Sequence, residues 1–146
     1  TLLSASGRVV EAEGLLRESA RIQPTWGQVH YSLGLLLAED TKRLPEAIRS
    51  LERAAWHWPE NPRVTHNLAI AYWQSNRIED AVRSFEQSIR LQPNNLEFLQ
   101  RISELLAQND RWSDALPYLR RLVLLVPNEP SFKSFFEEAK RQLDVR

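Results

Sequence analysis

Apolar residues recur along this chain at spacings of one, three and four. Around Leu33, Leu36 and Leu37, and again around Ala47, Ile48, Leu51, Ala54 and Ala55, this spacing marks one face of an amphipathic helix. Strand-like alternation is absent. A longer period overlies the short one: Pro24, Pro59, Pro93 and Pro127 follow one another at steps of 35, 34 and 34 residues. Twelve residues before each proline is an alanine (Ala12, Ala47, Ala81, Ala115), and eight before it a large apolar residue (Leu16, Leu51, Phe85, Leu119). After each of the first three prolines comes a large-then-small pair, Leu33-Gly34, Leu68-Ala69 and Ile102-Ser103, with Leu37, Tyr72 and Leu106 three residues beyond the small member. Each unit therefore predicts two helices.

Helix starts are predicted by Thr25 with Gln28 three residues on, by Asn61 ahead of Pro62, and by Asn95, all residues that offer oxygens to unpaired backbone N–H groups. The repeating prolines mark the stops. Small residues at Gly34, Ala69 and Ser103, facing Ala47, Ala81 and Ala115, allow two helix backbones to approach closely. A polar row also repeats, with Arg8, Arg43, Arg77 and Arg111 each three residues before an acid, Glu11, Glu46, Asp80 and Asp114. An anion ladder is one reading of that row. Acids in the first helical turn, each within reach of an arginine, assign it to structure instead.

These residues carry a resemblance to the tetratricopeptide repeat, whose signature runs W-x2-L-G-x2-Y, A-x3-F, P. The first full copy is His30-x2-Leu33-Gly34-x2-Leu37 with Ala47-x3-Leu51 and Pro59. A second is Thr65-x2-Leu68-Ala69-x2-Tyr72 with Ala81-x3-Phe85 and Pro93, and a third Leu99-x2-Ile102-Ser103-x2-Leu106 with Ala115-x3-Leu119 and Pro127. His30, Thr65 and Leu99 replace the signature Trp, and one extra residue sits near Asp40 to Lys42. The resemblance implies an all-α, right-handed superhelical solenoid of stacked antiparallel helix pairs. Its expected units are a partial first repeat over 1–26, mainly a second helix with residues 1–6 as the stub of a first, then repeats over 27–60, 61–94 and 95–128, and a capping helix over 129–146. In the last unit Phe132, Phe135, Phe136, Ala139 and Leu143 form an apolar stripe, but Glu137 takes the place of the small residue, so no further helix is expected to pack there.

Composition narrows function mainly by exclusion. Nineteen basic and nineteen acidic side chains cancel, which leaves no long-range field favouring nucleic acid or anionic membranes. No apolar run approaches the ~18 residues a membrane span needs. The absence of Cys removes disulfides, thiolate chemistry and cysteine-type metal sites, and fits a reducing or an oxidising compartment equally. The chain has no Met either, and is read as a fragment or processed piece. Gly7, Gly14, Gly27 and Gly34 are too scattered for a phosphate loop, GxSxG and HExxH are missing, and His30, His57 and His66 are not four apart on one helix. The expectation is a protein with no catalytic, cofactor-binding or metal-binding residues.

Surface remains. If the first helix of each pair lines the concave side, helical spacing exposes Gln28, Tyr31, Leu35 and Glu39 in one repeat, Arg63, His66, Ile70, Trp73 and Gln74 in the next, and Glu97, Gln100, Arg101, Glu104 and Gln108 in the third. Tyr31, Leu35, His66, Ile70 and Trp73 are the expected anchors for a peptide or helix of a partner protein, with Arg63, Glu97, Arg101 and Glu104 setting register. Tyr31 and Trp73 read equally well as packing between helices. Some tetratricopeptide domains hold the acidic tails of heat-shock chaperones with a clamp of Lys, Asn, Asn, Lys and Arg. The positions resembling that clamp are Tyr31, Leu35, Asn67, Glu97 and Arg101, of which only Asn67 and Arg101 match, so the resemblance implies no tight chaperone-tail binding.

Trp56-His57-Trp58-Pro59, with Trp26 one repeat earlier, is a second surface feature. Two tryptophans flanking one position cannot both face the same core. Trp26, Trp56 and Trp58 are candidates for contact with an identical subunit or an attached domain, or for stapling the junction between repeats. Two functions follow: a non-catalytic scaffold holding a partner segment in its groove, and a structural or assembly module of a larger protein.

Overall fold

The computed structural model describes residues 2–145, with side chains from Ser6 onward. Thr1 and Arg146, the outer ends of the expected first and last units, lie outside the described residues. The chain folds into helices α1 (Leu2–Ile22), α2 (Gly27–Ala38), α3 (Leu44–His57), α4 (Pro62–Gln74), α5 (Ile78–Leu91), α6 (Leu96–Gln108), α7 (Trp112–Leu125) and α8 (Pro130–Asp144). A short 3-10 turn, Thr41–Arg43, precedes α3. Among the described residues there is no strand. Helices α2 and α3, α4 and α5, and α6 and α7 pack as pairs, and each pair leans on the next, so the molecule is an all-α solenoid.

Sequence explains the boundaries. Helices α1, α3, α5 and α7 each end two residues short of one of the periodic prolines, whose missing N–H and steric bulk stop the helix there. Asn61 caps α4 by accepting from the Arg63 N–H at 2.9 Å, and Asn95 caps α6 by accepting from the Phe98 N–H at 3.2 Å. The turns inside the second and third repeats share one geometry, in which Arg77 N–H reaches back to the Tyr72 carbonyl and Arg111 N–H to that of Leu106, both at 2.8 Å. That turn requires a left-handed residue, supplied by Asn76 (φ 58°) and Asp110 (φ 60°), types that tolerate this region. The extra residue of the first repeat replaces this turn with the 3-10 segment, capped by Asp40 accepting from the Lys42 N–H at 3.0 Å.

Three expectations need correction. Helix α1 runs unbroken through Gly7, so no turn divides a stub at residues 1–6 from a following helix. Consequently Glu11 lies mid-helix, unlike Glu46, Asp80 and Asp114, which do occupy first turns. Thr25 does not cap α2: the N-cap is Trp26, without a side-chain bond, because the helix starts at Gly27, pressed against Trp58. At Gly34 the closest approach is to Leu51, and a Cβ there would lie 2.6 Å from Leu51 Cγ.

The core is one run of buried side chains through the second to last units, including Leu68, Ala69, Ala81, Phe85, Phe98, Ile102, Ala115 and Leu119. Leu33, Leu37 and Ala47 form a smaller cluster in the first full repeat. Buried Ser103 donates to the Leu99 carbonyl at 2.7 Å, so its hydroxyl costs little where a small residue is needed. The repeating arginines bond the acid three residues on, Arg77 to Asp80 and Arg111 to Asp114 at 2.8 Å, and Arg111 also reaches Glu79 of the preceding repeat at 2.8 Å. Arg43 holds Glu13 of α1 through two bonds of 2.7 Å, which keep that carboxyl down at about 2.

Candidate functional site

The first helices of the repeats, α2, α4 and α6, present a row of side chains not consumed by the core. Leu35 on α2 remains 38% exposed. With Glu39 it faces Asn67, Ile70 and Gln74 of α4 across a cleft of about 200 Å³. The cleft is also lined by Leu51, expected as a core residue, and by Ala38 and Ala71, which the sequence pattern did not single out. Ala38 and Ala71 sit three and four residues beyond Leu35 and Asn67, so helical spacing was the available signal. Asn67 Nδ2 donates to the Tyr31 hydroxyl at 2.7 Å, bridging the two helices. That bond still leaves the Tyr31 O–H to donate and the Asn67 carbonyl to accept.

A charged strip continues the row onto α6. Arg63 donates to Glu97 at 2.7 Å across the joint and stacks over the Phe98 ring at 5.3 Å. Arg101 donates to Glu104 at 3.2 Å, and Gln100 donates to the same carboxylate at 2.9 Å. The Arg63 bond lowers the pKa of Glu97.

His66 is not in the groove. It is 1% exposed, stacked on Phe98 at 4.4 Å with its edge toward Phe85 at 5.3 Å. The expected stripe ran through the wrong side of α4 at this residue, because two phenylalanines from neighbouring helices close over it. Both ring nitrogens are buried without a hydrogen-bond partner, and the nearest acid, Glu97, lies 3.5 Å from Nε2. Burial pushes the His66 pKa down to about 4, against a smaller upward pull from Glu97, so the ring is neutral at ordinary pH. Trp73 is half-buried and sets its edge against Phe85 at 6.3 Å, which makes it partly a packing residue.

The tryptophans separate. Trp58 is half-buried, lying against Gly27 and meeting Tyr31 edge-on at 6.3 Å, so it secures the start of α2. Trp26 is 49% exposed and Trp56 81%. Trp56 borders a second depression with Glu52, Ala55, Pro59, Leu68 and Gln87, formed largely by the second helices. His30 is buried, its Nε2 bonded to the Pro24 carbonyl at 2.7 Å. Among the described residues, no three potential metal ligands converge, and no helix is long and apolar enough to cross a membrane.

Stacked helix pairs with this recurring alanine, proline and cleft geometry define a helical-repeat protein-interaction scaffold. Two models of the tetratricopeptide repeat match the sequence, one over residues 36–87 and one over 66–130, together well over half of the chain. The chain belongs to the tetratricopeptide repeat family. It is similar in structure to a crystal structure of MamA at TM-score 0.77 and 11% identity, covering 97% of this chain and 92% of that one. MamA 41-end from Desulfovibrio magneticus RS-1 superposes at TM-score 0.74 and 17% identity, over 87% of this chain and 71% of the other. A D159K mutant of MamA superposes at TM-score 0.70 and 27% identity, over 84% and 70%. No curated protein matches the sequence.

Proposed function

We propose that the chain acts without catalysis, holding an extended segment or helix of a partner protein against its first helices. The observation that carries this reading is the cleft between α2 and α4, where Leu35 stays exposed beside Ile70 and the Tyr31–Asn67 bridge. An apolar partner side chain gains from leaving water there, while Asn67 and Tyr31 retain capacity for a partner's backbone groups. Arg63, Glu97, Arg101 and Glu104 would set register by exchanging their mutual bonds for bonds to the partner. The same pairing argues against a chaperone-tail clamp, since Arg101 is already neutralised by Glu104 and Glu97 would repel a terminal carboxylate. Selection of binders from a random peptide phage library tests the reading. Leu35→Glu should weaken the enriched peptides about tenfold or more at unchanged thermal stability; undiminished affinity would contradict the cleft.

The alternative, an assembly module, is favoured by one observation, the 81% exposure of Trp56 beside an apolar depression. If that surface joins two copies, light scattering after size exclusion gives a dimer that Trp56→Ala converts to monomer. A wild-type monomer at high concentration removes the idea.

A further inference from the structure

Arg17 and Arg21 lie four residues apart on α1, and Arg49 and Arg53 four apart on α3, so each pair shares one helical face. The fold brings the two pairs together around one cleft of about 380 Å³, also lined by Ser50 and Glu46. This cleft lies between α1 and α3, is also lined by His30, Leu33 and Leu37 of α2, and shares no residue with the one lined by Leu35. Arg17 is held by Glu46 at 2.8 Å and Glu13 at 2.9 Å, and Arg21 by Glu18 at 2.6 Å. Arg49 and Arg53 are exposed and, among the described residues, have no hydrogen-bond or ion-pair partner.

Packing does not call for these four cations. One and two repeats later, the positions of Arg17 and Arg21 hold Glu52 and Trp56, then Glu86 and Arg90. Those of Arg49 and Arg53 hold Arg83 and Gln87, then Pro117 and Arg121. The joints stack equally well without gathering four arginines. The guanidinium is a planar fork suited to oxyanions, and a phosphate monoester, with three oxygens and nearly two charges, can engage two forks at once. A single carboxylate is already present in Glu46 and leaves Arg49 and Arg53 unclaimed. A cleft of this volume has room for the residues on either side of a phosphorylated side chain as well as for the phosphate itself.

The geometry points to a second docking site, in which Arg49 and Arg53, the two arginines of the cleft that the fold leaves unpaired, receive a phosphoserine or phosphothreonine on a partner protein's extended segment. Ser50 adds a neutral donor at the cleft wall. Neither free arginine is used by the fold, so both can be changed without unfolding it.

Fluorescence polarisation of the whole chain against three peptide pools, with a fixed central phosphoserine, serine or glutamate, tests the site. The expected result is at least about tenfold preference for phosphoserine over both other pools. Arg49→Gln with Arg53→Gln abolishes the preference at unchanged thermal unfolding, while the charge-matched pair Arg90→Gln with Arg120→Gln and the Leu35→Glu variant retain it. Equal binding of the three pools overturns the proposal. Equal loss in both arginine pairs overturns it in favour of unspecific attraction, and loss in Leu35→Glu places the anion in the other cleft. Inorganic phosphate binding as tightly as the phosphoserine pool would make this a free-anion site and refute the protein-segment assignment.

Discussion

His66 illustrates how burial, more than residue type, sets a role. In the unfolded chain its imidazole titrates near the ordinary 6.5, and in the folded protein at about 4. The unfolded state therefore binds more protons between these values, and stability is complete above pH 6.5 and falls as pH drops toward 4. The groups facing the ring are Glu97, Arg63 and Arg101, and only the first opposes the shift. The loss expected from this residue is on the order of 3 kcal/mol, and its part above pH 4.5 precedes the carboxylates. Urea unfolding at a series of pH values should show it, and His66→Phe should flatten that limb. A small side chain matters as much at Gly34, where an added methyl meets Leu51 Cγ at 2.6 Å and its backbone nitrogen at 3.2 Å. Overpacking outweighs the helix propensity that alanine would bring, so Gly34→Ala should destabilise, by about 1 kcal/mol net of that gain, in chemical denaturation.

Among elements, the pairs are fixed by stop and start signals of different reliability. Every periodic proline ends a helix where its covalent chemistry says it must, and Asn61 and Asn95 cap because their short side chains put an oxygen within reach of the backbone N–H groups just beyond them. Asn95→Ala should therefore cost about 1 kcal/mol of stability, and Asn95→Asp should largely restore it, as measured by thermal unfolding. Thr25 failed as a cap because the start of α2 is decided at a distance, by Trp58 lying on Gly27. Local chemistry was legible in the sequence. Contacts between elements were not.

For the whole molecule, repetition made the architecture readable: a period of about 34 residues with small residues at fixed places admits helix pairs and leaves no role for a strand. The surface was readable only in part. Leu35, Ile70 and Gln74 follow from helical spacing on the first helices, Asn67 from the positions that resemble the chaperone-tail clamp, and the structure gathers all four round one cleft. His66 was misplaced because Phe85 and Phe98, from two other helices, decide which flank of α4 is closed. The arginine cleft is not visible in the sequence for the same reason, since its two walls are about 30 residues apart, on helices of neighbouring units, and neither pair is unusual alone. Whatever function the molecule has is written in such variable positions, on a frame that many sequences share.

The most direct measurement of the central claim is amide chemical-shift mapping of the full chain with a selected peptide. The account predicts perturbations concentrated on Tyr31, Leu35, Asn67, Ile70 and Gln74, continuing to Arg101 and Glu104 along α6. Perturbations confined to the second helices, with α2 and α4 silent, would contradict it.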